Sequence, residues 1–242
     1  MSSRRLLVAD LGVMPYADAL ALQREAARAR LSGALADDLL LLVEHPPVIT
    51  LGRSARAANL LASPDLLTAR GVELFEVERG GDITFHGLGQ LVGYPIIDLT
   101  QHREDLHWYL RQLEEVMIRA LSACGIVAAR NPGKTGVWVA DRKIASIGVH
   151  ARQWITWHGF ALNVTTDLSY FDLMVPCGIQ DVTMTSVERE LLDAAGGACL
   201  ASSPTLVDDV RAHTVSAFAG RFNLTPEPAD VAAIMATVAP LA

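Results

Sequence analysis

Lysine is almost missing from this chain of 242 residues: of 20 basic residues only Lys134 and Lys143 are lysines, and the other 18 are arginines. Arginine keeps its proton in a protein, whereas a desolvated lysine can give it up. A chain that otherwise meets its need for positive charge with arginine has a chemical reason to keep a lysine, set against the ordinary reading of a solvated surface cation. Cysteine is also scarce. The three, Cys124, Cys177 and Cys199, are odd in number and scattered, which excludes a disulfide framework and a zinc site. A reducing cytoplasm is therefore the expected location. No long apolar run occurs: the longest, LLLLV at 39–43, is far too short to span a bilayer. The N-terminal MSSRRLLVADLG has arginines but neither an extended apolar stretch nor a small-residue cleavage site, so no signal peptide is expected. Positive charge is outweighed, with a net charge of −7, so nucleic acid is not expected to cover this surface, although a local basic patch is compatible with it.

What is present is apolar. Hydrophobic residues make up 51% and charged residues 19%, a balance that supports a well-buried core and argues against disorder. No repeat or low-complexity linker divides the chain, so a single domain over 1–242 is expected, with 223–242 as a short helix or frayed tail. Residues 5–9, 39–43, 48–51, 72–78, 83–85, 90–97, 136–140, 143–152 and 154–164 read as strands. Helical periodicity marks 16–31, 104–124, 186–192 and 204–222, and Ser63-Pro64 reads as the start of one more helix ended by Gly71. Within 104–124 the apolar stripe is Leu106, Leu110, Leu113, Met117, Leu121 and Cys124, so Cys124 is expected in the core. Consecutive strands look hairpin-linked, as at Asp141-Arg142. The expected fold class is α/β (α+β): a mixed, largely antiparallel sheet flanked by helices.

Cys177 and Lys143 carry the chemical signal. Cys177 sits in VPCGI (175–179), between a proline that restricts the backbone and a glycine that frees it; Lys143 sits in DRKIASIG (141–148). A thiol and an amine in one pocket can make an acyl-transfer enzyme. RGGDITFHG (79–87) holds two glycines after a strand and a histidine before a third, suited to a close ligand or to a plain hairpin turn. SIG (146–148) and GFALNV (159–164) put small residues inside strands, a mark of a bound ligand or of tight sheet packing. The histidines at 45, 102, 107, 150, 158 and 213 lack metal-ligand spacing and read as structural or solvated. No metal site, dinucleotide fingerprint, P-loop or serine elbow is present in this reading.

Taken in order, HPPVITLGRSARAANLL, RGGDITFHGLGQLVGYPIIDL, DRKIASIGV, HGFALNV and VPCGI resemble the lipoyl(octanoyl) transferase family, from about residue 6 to beyond Ser186. Two departures are small: Phe85 stands where the family usually has tyrosine, and Leu88 where it has proline. The resemblance implies an α/β domain shared with biotin and lipoate protein ligases and related to class II aminoacyl-tRNA synthetase cores. It implies transfer of an octanoyl group from octanoyl-acyl carrier protein to a lysine of a lipoate-dependent protein. The implied acceptors are the lipoyl domains of 2-oxo acid dehydrogenase E2 subunits and the glycine-cleavage H protein. Cys177 is the implied acyl-carrying nucleophile and Lys143 its partner, as base or as charge. The expected pocket wall is Arg79, Gly80, Gly81, Asp82, Ile83, Thr84, Phe85 and His86, with Ser146, Ile147 and Gly148, and Gly159, Phe160 and Ala161. Backbone N–H groups near Cys177 or in the glycine-rich segments are candidate oxyanion donors. No cofactor, metal, nucleic acid or membrane is expected. The alternatives are an ATP-dependent lipoate or biotin ligase and a non-catalytic module that binds carrier or lipoyl domains. An acidic partner would meet a local basic rim, expected to be built from some of Arg53, Arg56, Arg130, Lys134, Arg142 and Arg152.

Overall fold

Side-chain caps start several of the helices, and tight turns join the strands of residues 129–163 in succession. In the computed structural model, which describes residues 4–195 and 204–238, the chain runs β1 (Arg4–Val13), α1 (Tyr16–Ser32), β2 (Asp38–Glu44), β3 (Val48–Leu51), α2 (Pro64–Ala69), β4 (Glu73–Glu76), β5 (Ile83–His86) and β6 (Gln90–Ile96). It continues through α3 (Leu106–Ala123), β7 (Ala129–Asn131), β8 (Lys134–Val139), β9 (Arg142–Arg152), β10 (Ile155–Asn163), β11 (Thr183–Met184), α4 (Val187–Ala194), α5 (Leu206–Phe222), β12 (Leu224–Pro228) and α6 (Val231–Val238). Ser63, Asp105 and Ser186 accept hydrogen bonds from Leu66, Trp108 and Arg189 N–H at the starts of α2, α3 and α4, satisfying donors that a helix leaves unpaired.

The main sheet has the order β12-β1-β2-β6-β10-β9-β8-β7, with β11 beside β9. β1 is parallel to β12 and β2, β11 is parallel to β9, and the other pairs are antiparallel. A second sheet, β4-β3-β5, is also mixed. The mixed, largely antiparallel architecture flanked by helices is the one expected. His45-Pro46-Pro47 does more than separate two strands: β2 enters the main sheet and β3 the small one, since prolines cannot continue a ladder.

Alternation along the central strands divides the core. Leu40, Leu42, Leu91, Phe160 and Leu162 face α3 and α5; Leu39, Leu41, Val92, Tyr94 and Ala161 face α1 and α6. Leu113, Met117 and Leu121 of α3 are fully buried, while Leu106, at the first turn, is 38% exposed. Cys124 is half-buried against this core and its thiol is pushed up by that burial, which fits packing and not reactivity. A third cluster joins Ile83 and Phe85 of the small sheet to Phe171 and Met174. The functional cavity lies between the small sheet and the α1 face of the main sheet.

Three strands escape the sequence pattern. β7 is three residues long and β11 two, too short to show alternation. β12 occupies part of the expected tail and contains Pro226 and Pro228; it forms the sheet edge, where a missing N–H costs little. Cys199 lies outside the described residues.

Gly93 of β6 sits under the ring of Phe160, and a Cβ there would lie 2.2 Å from its Cζ. Gly93→Ala therefore overpacks the sheet centre and is expected to cost about 1–3 kcal/mol. Urea unfolding checks this; an unchanged midpoint would show that Phe160 can move aside.

Candidate active site

Cys177 is held on a strained turn. Gly178 N–H bonds Val175 O at 3.0 Å and Ile179 N–H bonds Pro176 O at 3.1 Å, which brings Cys177 to φ 56°, a left-handed conformation that costs a non-glycine residue about 1 kcal/mol or more. The surroundings impose it. Val175 N–H bonds Asn59 O at 2.8 Å, and the Asn59 amide bonds Asp82 Oδ2 at 2.6 Å. Asp82 is fastened in turn by Ile83 N–H and Arg56 N–H. A Cβ on Gly178 would fall 2.5 Å from Asp82 Oδ2, so glycine is required after the cysteine.

Lys143 reaches the same point from β9. It is 1% exposed, its Nζ is 3.0 Å from Cys177 Sγ, and it lies 5.7 Å from the Trp138 ring centroid. A register shift between β8 and β9 and the positive φ of Gly136 make room: a Cβ on Gly136 would lie 2.8 Å from Lys143 Cε. Ser146 Oγ is 3.7 Å from Sγ. Burial pushes the Cys177 thiol up, but the Lys143 ammonium, hydrogen bonds from Lys143 and Ser146, and the Arg79 charge together bring it below the usual thiol range.

Arg79 is a second buried cation. Its guanidinium bonds only neutral oxygens: Thr50 O at 2.5 Å, Thr50 Oγ1 at 2.8 Å and Gly80 O at 3.1 Å. A Cβ on Gly52 would lie 2.7 Å from Nη1, and one on Gly148 3.0 Å from Cδ, so two glycines make its channel. Among the described residues it forms no ion pair.

Cys177, Lys143 and Arg79 line one cavity of about 270 Å³. Of the expected wall, Gly81, Asp82, Thr84 and His86 line it, as do Ser146, Ile147 and Gly148 and Gly159, Phe160 and Ala161. Gly80, Ile83 and Phe85 do not. Ile83 and Phe85 alternate with Thr84 and His86 on β5 and point into the third core cluster, where Phe85 stacks on Tyr170 at 4.7 Å. Gly80 spends its N–H on Val149 O. The N–H groups of Gly178, Ile179 and Gly80 are all committed to backbone bonds, which removes them as oxyanion donors.

Sequence reasoning missed Tyr16, Val92, Tyr94 and His158, which also line the cavity. Tyr16 and Val92 carry only core-periodicity signals, and His158 has no ligand spacing. Their grouping comes from strand order and from α1 crossing the sheet. Two hydrogen-bond chains orient this wall. Asn163 donates to Thr185 O, and Gln90 donates to Asn163 Oδ1 and Phe85 O. Gln90 Oε1 is thus the acceptor for His86 Nδ1 at 2.8 Å, leaving His86 Nε2 as a bare acceptor. His45 Nδ1 donates to Met14 O at 2.7 Å, so its Nε2 accepts from the Tyr94 hydroxyl at 2.7 Å. Burial lowers His45 to about 4 and His86 to about 3, so both are neutral near pH 7.

Both the sequence and the fold have counterparts among known proteins. The family model for the lipoyl protein ligase A/B catalytic domain matches residues 15–218. An octanoyltransferase of Rubrobacter xylanophilus is 58% identical over 182 residues, covering 74% of this chain and 81% of that protein. One of Gloeobacter violaceus is 42% identical over 232 residues, covering 96% and 97%. Among solved structures, a putative lipoate protein ligase of T. acidophilum with bound lipoic acid superimposes with a TM-score of 0.72 at 17% identity, covering 98% of this chain and 93% of that one, a likeness of fold.

The neutral histidines tie stability to pH. From the ordinary value of 6.5 down towards the folded values, the unfolded chain binds protons that the fold refuses. Stability is therefore full above pH 6.5 and falls on acidification, approaching about 1.4 kcal/mol per pH unit for each histidine. Unfolding free energies measured from pH 7 to about 5 should show this slope, shallower in His86→Gln. A flat profile would mean that these histidines are protonated in the fold.

Proposed function

The chain belongs to the lipoyl protein ligase A/B catalytic-domain family, and from that premise we propose that it transfers an octanoyl group to a protein lysine through an acyl-thioester on Cys177. It is an acyltransferase of protein lipoylation, like its octanoyltransferase relatives. The observation that carries the mechanism is the 3.0 Å contact between the buried Lys143 Nζ and Cys177 Sγ.

In this reading Lys143 holds the thiol proton and Cys177 is a thiolate. Free cysteine is only a few per cent thiolate at neutral pH, so the neighbouring ammonium raises the population of the nucleophile. The thiolate attacks the carbonyl of an octanoyl thioester on acyl carrier protein. As the carbon–sulfur bond to the carrier breaks, Lys143 returns its proton to the leaving thiolate. Neutral Lys143 then takes a proton from the attacking amine of a lipoyl domain of an E2 subunit or of the H protein. The amide forms, Cys177 leaves as thiolate, and the pair is reset. Both steps exchange activated acyl bonds, so the scheme consumes no ATP. Arg79, with no ion-pair partner among the described residues, adds positive potential near the place where the tetrahedral oxyanion develops.

Of the six cations from which a docking rim was expected to draw, three suit carrier docking. Arg130 is paired with Glu114 and Glu115, and Arg142 with Glu190. Arg152 ends β9 at the opposite end from Lys143. Arg53, Arg56 and Lys134 are exposed, form no ion pair among the described residues, and sit by the cavity: Lys134 lines it, and the backbone N–H groups of Arg53 and Arg56 bond Arg79 O and Asp82 Oδ1.

Intact-protein mass spectrometry tests the mechanism. Mixing with octanoyl-acyl carrier protein and no nucleotide should add one octanoyl group at Cys177, and Cys177→Ser should lose nearly all turnover. Lys143→Arg keeps a charge but not a base, and should slow single-turnover acylation by about 10² to 10⁴-fold. An adduct that persists in Cys177→Ala, or that requires ATP, would replace this mechanism with that of a ligase.

Salt tests the docking surface. Exposed charge pairs are screened over about 10 Å at 0.1 M, so KM for the carrier should rise with salt while kcat holds. Arg53→Glu and Arg56→Glu should each raise KM several-fold at low salt. A KM indifferent to both changes would remove these residues from the docking site.

A further inference from the structure

The cavity changes character along its length. Ser146, close to Cys177, lies opposite Ala161 on β10, which is also opposite Val92 on β6. Two residues further along β10, Gly159 faces Gly148, and the floor is bare backbone. One residue beyond comes His158, opposite Val149; at about 3.3 Å per residue it lies roughly 10 Å from Ala161. Tyr94 follows Val92 on the same face of β6, and Tyr16 of α1 stands over this end, its ring 6.0 Å from that of His86.

This far end is polar, and its polar groups have unspent capacity. His158 is 1% exposed and neither ring nitrogen has a hydrogen-bond partner; the nearest carboxylate oxygen, Glu78 Oε2, is 3.8 Å from Nε2. Gln23 of α1 is fully buried, accepts from His158 N–H at 3.0 Å and leaves its own Nε2 unpartnered. The Tyr94 hydroxyl gives its proton to His45 and keeps its lone pairs. The Tyr16 hydroxyl bonds no group among the described residues. Behind them Glu78 closes the end, bonded to Arg24 and to the Trp157 indole N–H.

We propose that Tyr16, Tyr94 and His158 form a polar stop that sets the length of the acyl chain, a specificity role that rests on the acyl-transfer function above. An acyl group on Cys177 runs over Ala161 and Val92, where each methylene gains from burial. It crosses the two glycines, which line the cavity and let Arg79 and the backbone of Gly80 and Gly93 pack close beside them. A chain that ends there leaves the polar groups to one another and to water. A longer chain would press methylenes against buried donors and acceptors and strip them of hydrogen bonds. Length is thus selected by the loss of polar partners at the far end, not by a wall of large apolar side chains.

The experiment uses the full chain and a series of acyl carriers with six-, eight-, ten- and twelve-carbon acyl groups. Acylation rates at Cys177 are followed by intact-protein mass spectrometry. Tyr16→Phe removes one polar atom and retains the ring, so it changes polarity with almost no change of space. It should raise the ten-to-eight-carbon rate ratio by roughly tenfold, the scale on which a pocket discriminates a methylene or two. Tyr16→Ala should extend the gain to twelve carbons. Ala161→Val, in the near part of the trough, should slow every chain that reaches it without favouring longer ones. If both Tyr16 variants keep the parent ratio, or lose all chain lengths in equal proportion, the polar stop is overturned while the transfer function stands. If the parent chain takes no acyl group from any carrier, the transfer function falls and the stop with it.

Discussion

A buried amine 3.0 Å from a thiol needs a setting that water would not provide. Taking Lys143 out of solvent is costly unless a negative partner meets it, and the partner here is itself a weak acid. In the proposed mechanism the two groups stabilise each other's charged forms, and only while both are held in place. Much of the architecture serves that condition. The β8–β9 register shift and Gly136 bring Lys143 inward, and the Asn59–Asp82 clamp keeps Cys177 in a left-handed turn. The strain of that turn, about 1 kcal/mol or more, is offset by the packing around it.

The floor of the cavity next to this pair is close-packed backbone. Gly148 and Gly159 face each other across β9 and β10, and side chains there would run into Gly80 and Arg79 on one side and Gly93 and Pro95 on the other. Gly52 and Gly148 also serve charge, leaving a channel for the Arg79 guanidinium. Strand interiors seldom favour glycine, because it adds conformational entropy to the unfolded chain and packs nothing. Its accumulation here is explained by what the missing side chains admit.

The wall opposite the nucleophile is polar yet largely uncharged. His45 and His86 are kept neutral by burial and oriented by chains of hydrogen bonds that end on backbone carbonyls. Neutrality matters in a cavity that already holds Lys143 and Arg79. Further cations there would compete for the same anion and raise the cost of burial. His45 also accepts the Tyr94 hydroxyl proton, which ties this neutral wall to the residues of the proposed length stop.

Much of this was legible in the residues themselves. Hairpin turns, capping residues and apolar stripes located most of the strands and helices, because those signals act over a few positions along the chain. The lysine bias and the Pro-Cys-Gly turn singled out Lys143 and Cys177 before any contact was known. The rest depended on pairings distant in sequence. β12 shows no alternation and contains prolines, and only its place at the sheet edge beside β1 makes it a strand. Phe85 and Ile83 share a motif with His86, but the period-two alternation of β5 turns them into the core. Tyr16, Tyr94 and His158 carry no local mark of function; α1 lying across β6 and β10 assembles them. Local sequence determined which elements form and which two residues are chemically unusual. Tertiary structure alone decided that a thiol and an amine 34 residues apart meet, and what surrounds them, because strand order and register bring together residues that no local interaction connects.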